Sequence, residues 1–352
     1  MMQANIYNED LRAACAGHEA WLRDRRVLVT GASGLIGSFL TDALMLLNAE
    51  QRAGMTLYAA GRSHEGMIRR FGDALTDGRL TWTPYDSTRP LAFDAPVDLI
   101  VHAATSAHPM AYSTDPVGTM QANLMGTMEL LEYLRGHGDA RLVFLSTGEI
   151  YGENPELPEG FRETDHGWVD PMRPRSCYPE SKRAAETLCA SYAAQYGVNA
   201  RVARLCHVYG PTFTPRNSRA DAQFLRNALN GEDIVMKSNG AQVRSWCYVP
   251  DAVNALLTLL RAGESGQAYN VAPRQAVASI REYAQTLADL SGVQLRFDLP
   301  PAVEQAGYTR VTRAVLNPAK LEALGWRARY DLHTGLAHTL RCLQCNDSGS
   351  PR

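Results

Sequence analysis

The chain has little of what marks several large classes of protein. It holds only seven cysteines in 352 residues. Cys15, Cys177, Cys189, Cys206, Cys247, Cys342 and Cys345 are an odd, scattered set, which reads as reduced thiols rather than a disulfide framework. Only Cys342 and Cys345 form a CxxC, and with no second pair or histidines at ligand spacing no metal site is expected. There is no basic excess: 35 Lys and Arg stand against 37 Asp and Glu, a formal charge of -2, so nucleic acid is not expected as a partner. No stretch approaches the roughly 18 apolar residues of a membrane span. The start, MMQANIYNEDLRAACAGHEAWLRDRR, lacks a basic segment followed by an apolar run. These absences predict a cytoplasmic chain with no membrane partner. Internal repeats are missing as well. What is present is a 45% hydrophobic fraction, ample for a large domain plus a lobe.

After a helix expected at about 8–23, Val27-Leu28-Val29 reads as a buried strand, and TGASGLIGS turns it into the apolar helix FLTDALMLLNA. Further strand-like runs are LYAAG near 57–61, LTWTPYD near 80–86, VDLIVHAA near 97–104 and ARLVFLST near 140–147, separated by helical spacing such as 117–135. This alternation predicts an α/β fold, a doubly wound parallel sheet covered by helices on both faces. Beyond a Pro-rich loop, a helix near 178–196 and the strand ARVARLCHVYG, the alternation fades into polar TPRNSRADAQF. Helices near 220–230, 250–262, 279–291 and 318–324 belong to a smaller C-terminal lobe of mixed α/β character, with Arg244 to Ala262 returning to the first domain.

Gly31, Ser33, Gly34, Leu35, Ile36 and Gly37 lie in a glycine-rich turn that follows a strand and opens a helix. Such a turn lets backbone approach a pyrophosphate, and the helix N-terminus favours its charge, so dinucleotide binding is expected. An acid commonly ends the second strand to hold the adenine ribose of NAD. Here Ala60-Gly61-Arg62-Ser63 offers none; Arg62 is either a solvated arginine or a partner for the extra phosphate of NADP. Asp86, ending the third strand, is a candidate contact for the adenine.

Tyr178-Pro179-Glu180-Ser181-Lys182 sets a phenol and an ammonium four residues apart, on one face of a helix. A nearby lysine favours phenolate, and a phenolate takes the proton of a sugar hydroxyl while hydride leaves the carbon. Together with the glycine turn and Ser146-Thr147 at a strand end, the pair makes the chain resemble the extended short-chain dehydrogenase/reductases, in their NAD-dependent epimerase/dehydratase branch acting on nucleotide sugars. The motifs YDSTRPL, VDLIVHAATSAHP, LVFLSTGEIYG, RSCYPESKRAAETL, ARLCHVYGP, QVRSWCYVPD and LNPAKLEALGW carry it along nearly the whole chain. Their order looks most like the UDP-glucuronate decarboxylases of that family, then its dTDP-glucose 4,6-dehydratases.

The resemblance implies Tyr178 as base, Lys182 as its modulator and ribose anchor, Thr147 as partner of the reacting hydroxyl and Glu149 as an acid near sugar carbon 5. It implies cofactor contacts from Arg62, Asp86, Ser87, Ala103, Ala104, Thr105 and Asn123, and substrate contacts from Thr147, Glu149, His207, Arg219, Arg244 and Arg313. Two positions depart from the pattern. Gly148 stands where the dTDP-glucose dehydratases have an aspartate that helps expel water, and His207 where an asparagine is usual; its charge would respond to pH near neutrality, or it is a satisfied core histidine. The implied reaction is oxidation to a 4-keto sugar on bound NAD, followed by loss of carbon dioxide. The alternatives are epimerisation, dehydration and, remotely, a silent dinucleotide-binding protein. The implied division is a helical extension at 1–24, a Rossmann-like NAD(P)-binding domain at 25–210 with about 244–262, a substrate-binding lobe at 211–243 and 263–342, and a loose tail at 343–352. Leu124, Met128, Leu131 and Leu134 recur at helical spacing, and the family resemblance implies a homodimer through helices near 117–135 and 178–196.

Overall fold

The computed structural model describes every residue except 1–2, 106, 108, 155–156, 158–159, 216, 300–310 and 348–352. The continuous apolar run at Val27 forms β1 (Arg26–Thr30), buried from its second residue on, as a strand covered on both faces must be. It is followed by α3 (Leu35–Gln51), while α1 (Gln3–Cys15) and α2 (Glu19–Leu22) precede it. The single helix expected at 8–23 is thus two, broken where Gly17 takes φ +81°, a conformation glycine alone adopts freely. Then come β2 (Thr56–Gly61), α4 (His64–Phe71), α5 (Asp73–Thr76), β3 (Thr81–Pro84), β4 (Leu99–His102), α6 (Pro109–Thr114), α7 (Pro116–Gly136), β5 (Arg141–Thr147), α8 (Cys177–Tyr196) and β6 (Asn199–Leu205). Asp115 caps α7 by accepting from the Gly118 amide at 2.9 Å, and Pro116 fills its first turn.

Seven strands form one sheet in the order β10-β6-β5-β4-β1-β2-β3, with β10 at Ala268–Val271. Every pairing in it is parallel. The order reverses between β1 and β4, and the crevice at the C-terminal ends of these strands is where such sheets bind ligands. Thr30 Oγ1 and His102 Nδ1, 2.8 Å apart, tie the two strands together there.

The later part builds smaller sheets. β9 (Val243–Tyr248) pairs with β7 (His207–Tyr209), β11 (Val277–Ser279) and β13 (Arg313–Ala314), while β8 (Ile234–Met236) pairs with β12 (Leu295–Phe297). Two details differ from the division read in the sequence. Residues 244–248 belong to the small sheet, and only the helix after them, α10 (Val249–Ala262), packs on β5 and β6. Conversely β10, expected in the lobe, is the edge strand of the main sheet. The helix α9 (Ala220–Leu229) packs against α11 (Ile280–Ser291). The last helix, Leu332–Asp347, runs into the tail expected to be loose, whose final residues 348–352 lie outside the described ones, as does the side chain of Cys345. Among the described residues no helix is long and apolar enough to cross a membrane, and no cluster could hold a metal ion.

Candidate active site

The turn from β1 to α3 is shaped for something that comes close to backbone. Gly31 has φ +67°, and a Cβ there would stand 2.5 Å from the Ala103 carbonyl oxygen. A Cβ on Gly37 would stand 2.4 Å from the Gly31 carbonyl. Gly34 caps α3 with no side chain to meet its amides, the condition under which a helix N-terminus is free to receive phosphate. Ser33 is exposed, and Leu35 and Ile36 are half-buried. These residues fit a dinucleotide.

The rest of the expected cofactor surface borders the same crevice. Ala103 donates its amide to Thr30 at 3.2 Å, beside Ala104. Thr105 donates to Asn123 at 2.6 Å, and buried Asn123 donates to Ser181 on α8 at 2.9 Å. The Asp86 carboxylate accepts from the Thr88 amide and hydroxyl at 3.0 and 2.8 Å. These bonds, the amide first, hold it below the usual carboxylate range, with help from Arg62 and Arg89. Arg62 is exposed at the end of β2, so its charge faces Asp86 and solvent. Ser87 lies under α7, since a Cβ on Gly126 would come within 2.7 Å of its own.

Thr147 ends β5, and its hydroxyl accepts from the Glu149 amide at 3.2 Å. Tyr178, 5% exposed, stands at the start of α8, near the Thr147 side chain. Burial pushes its phenol above the ordinary value and the Glu149 charge adds to this, while Thr147, Arg219 and Arg175 pull the other way. Lys182 lies one turn on, 1% exposed, donating to the Leu145 carbonyl at 2.6 Å, with its ammonium 4.4 Å from the centre of the Phe144 ring. Burial draws it down to about 7. Arg219 and Arg175 draw the Tyr178 phenol down, while the Lys182 ammonium, one turn on, is turned to the Leu145 carbonyl.

Glu149 is not a free strand-end acid. It accepts from Arg175 at 2.6 Å. The Arg175 guanidinium lies 4.7 Å over the Tyr112 ring, and Tyr112 stacks on Tyr178 at 4.5 Å and 19°. Arg175 and Tyr112 were not singled out in the sequence. The first stands only three residues before Tyr178, but its contact depends on how the 3-10 turns at 148–151 and 174–176 meet. Gly148 has a packing reason: a Cβ there would press within 3.2 Å of Leu316.

On the other side, Arg244 on β9 is 5% exposed and donates to the carbonyls of Val243 and Val311, both at 3.0 Å. Burial lowers it to about 10. Arg219 donates to the Val208 carbonyl and to Asp221, at 2.8 and 3.0 Å. Its Nε, like that of Arg313 on β13, is buried with no partner among the described residues. Arg219 borders a small cavity lined by Leu35, Phe213, Asn217, Leu225 and Tyr283. His207 is pulled to about 3 by burial, Arg244 and Arg219, so it is neutral throughout the physiological range, and the expected response near neutrality is not present. The structure thus gathers Thr147, Glu149 and Tyr178 beside the arginines, with Lys182 on the sheet side of the phenol.

A sequence profile of the NAD dependent epimerase/dehydratase family matches residues 27–272. UDP-glucuronic acid decarboxylase 1 of Danio rerio is 32% identical over 317 residues, 90% of this chain and 72% of that protein. UDP-glucuronic acid decarboxylase 3 of Arabidopsis thaliana is 33% identical over 311 residues, 88% of this chain and 86% of that protein. A dTDP-glucose 4,6-dehydratase from Streptomyces venezuelae, solved with NAD bound, superposes with a TM-score of 0.75 at 26% identity, covering 92% of this chain and 98% of that one.

Proposed function

The chain belongs to the NAD dependent epimerase/dehydratase family, and from that premise we propose that it decarboxylates a UDP-glucuronate-like nucleotide sugar through a 4-keto intermediate. The observation that carries this reading is the Glu149–Arg175 pair set against Tyr112 and Tyr178. A guanidinium so placed can leave Glu149 for the carboxylate of a sugar acid, which it matches in charge and fork geometry. The 32% identity to a UDP-glucuronic acid decarboxylase, over a stretch that covers 90% of the chain, supports the same substrate.

We assign the roles as follows. Bound NAD supplies the hydride acceptor and later the hydride donor. Tyr178, held by Thr147, takes the proton of the hydroxyl at carbon 4, and the resulting ketone makes the carboxylate beyond carbon 5 a good electrofuge. Once Arg175 has turned to the sugar acid, Glu149 takes up a proton from solvent and passes it to carbon 5, where it replaces the departing carbon dioxide, and Tyr178 returns its own proton to the oxygen at carbon 4. Lys182 anchors the cofactor ribose. Arg219, Arg244 and Arg313 hold the diphosphate, and the unpartnered Nε atoms of Arg219 and Arg313 fit an anion. We take NAD rather than NADP as the cofactor, in keeping with the NAD complex of the Streptomyces enzyme, and leave Arg62 to Asp86. Free buried thiols such as Cys189 and Cys247 suit the cytoplasm. Two copies of the chain associate through α7 and α8.

The test is incubation with UDP-glucuronate, UDP-glucose, dTDP-glucose and GDP-mannose, with NAD or NADP, followed by mass and anomeric proton spectra. Loss of carbon dioxide from UDP-glucuronate with NAD is expected, and the Tyr178→Phe variant should lose it. New anomeric signals at unchanged mass would replace the reading with epimerisation, and loss of water from a hexose would replace it with dehydration despite Gly148.

A further inference from the structure

Behind the Tyr178–Lys182 pair lies a buried polar cluster that neither the glycine turn nor the catalytic motif accounts for. Glu186 follows Lys182 by one turn of α8, and its side chain is 10% exposed. Its carboxylate accepts from the Ser146 hydroxyl and from Arg204, whose Nε lies 3.1 Å and Nη2 2.8 Å from Oε2. Arg204, on β6, uses its remaining nitrogen to donate to the Tyr151 hydroxyl at 2.8 Å and the Glu163 carbonyl at 2.9 Å. Ser146 immediately precedes Thr147, and Tyr151 closes the turn that carries Glu149. One carboxylate and one guanidinium therefore join the helix bearing Tyr178 and Lys182 to the strand end bearing Thr147 and to the turn bearing Glu149.

We propose that Glu186, backed by Arg204, is a positioning residue for the reaction: it braces the strand end that carries Thr147 and sets a negative charge one helical turn from Lys182. The proposal rests on the catalytic roles assigned above. A buried ammonium needs a counter-charge or it sheds its proton. The groups around Lys182 leave that task to Glu186. From β5 come only the Leu145 carbonyl and the Phe144 ring. From β4 comes His102, which burial and Lys182 itself keep neutral. From α7 comes Asn123, an amide engaged with Ser181. Beyond Glu186, α8 offers Cys189, a thiol that burial pushes up to about 12. Arg204 spends its charge on Glu186 rather than on Lys182.

The Glu186→Gln variant keeps the shape and removes the charge. Lys182 then binds its proton less firmly, so activity that depends on the ammonium should be lost at lower pH. The alkaline limb of the kcat profile is expected to move down by about 1 unit, and kcat above that limb to fall about tenfold, the equivalent of one unit. KM for UDP-glucuronate should stay near the wild-type value, and Glu186→Asp should return the limb toward its wild-type position. A cluster that only braces the fold would lower the melting temperature and leave the profile in place. A wild-type profile in Glu186→Gln overturns the proposal. Should that variant not fold, a Glu186→Asp limb displaced as far as the loss of charge predicts would overturn it as well, since the charge is retained there. Tyr178→Phe separates the two levels: if it is inactive while Glu186→Gln behaves as wild type, only the positioning role fails, whereas an active Tyr178→Phe removes the catalytic assignment itself.

Discussion

At Gly31 the backbone sits at φ +67°, and the Ala103 carbonyl would be 2.5 Å from any Cβ. The left-handed conformation alone costs an L residue about 1–2 kcal/mol, and the contact falls on backbone of the neighbouring strand, which cannot swing aside as a side chain would. The Gly31→Ala variant should therefore shift the turn away from the crevice, with NAD affinity down at least tenfold, about 1.4 kcal/mol. Titration calorimetry of NAD into the stripped protein measures this, and an unchanged dissociation constant would mean that the turn is an ordinary strand-helix connection. His207 teaches the opposite lesson about single residues. A histidine in a candidate site invites a pH argument, yet burial and two arginines keep it uncharged, so any limb near neutrality belongs to another group.

At the scale of elements, α1 is held by one buried acid. Asp10 is 0% exposed and accepts from the hydroxyls of Tyr248 at 2.7 Å and Tyr330 at 2.8 Å, with His338 Nδ1 at 3.0 Å. These partners come from β9, the segment after Gly325 and the last helix, so one carboxylate joins both ends of the chain to the small sheet. Asp10→Ala leaves buried donors unpaired, at a cost of about 3 kcal/mol. A melting temperature lower by on the order of 5 °C is expected, with kcat of the surviving enzyme unchanged; an unchanged melt would show that α1 carries no load. None of this was legible in the sequence, because Asp10 meets partners some 240 to 330 positions away and no local pattern marks such a meeting. The strands of the main sheet were legible for the converse reason: Val27-Leu28-Val29 or Leu142 to Leu145 are short apolar runs whose burial on both faces leaves no other use for them. The site was legible where chemistry demands fixed spacing, at the glycine turn and at Tyr178 and Lys182. It was not where short helical segments meet, at Arg175 and Tyr112, or where a helix meets two strands, at Glu186. The lobe boundaries suffered from the same limit, since β10 completes the main sheet only after the chain has left it and returned.

For the molecule as a whole, the feature that bears on assembly is the apolar face that α7 turns outward. Of the stripe Leu124, Met128, Leu131 and Leu134, the last two turn into the core, at 0% and 2% exposed, while Met128 is 41% exposed. The outward seam is instead Val117, Met120, Leu124 and Met128, at intervals of three and four, with Val117 66% exposed. Such a seam, running beside α8, is what two copies related by a two-fold axis would bury against each other. Burying a methionine contributes about 1.5–3 kcal/mol, and the axis counts each substitution twice. Met128→Glu should therefore raise the dimer dissociation constant by at least about a hundredfold, since each tenfold is 1.4 kcal/mol. The variant should also keep its fold, because the side chain projects away from the core. Light scattering at micromolar concentration, on wild type and variant side by side, measures this. A wild-type chain already monomeric would dismiss the seam as an interface. A dimer that survives Met128→Glu would place the interface elsewhere, with the methionine-rich face of α7 left to solvent.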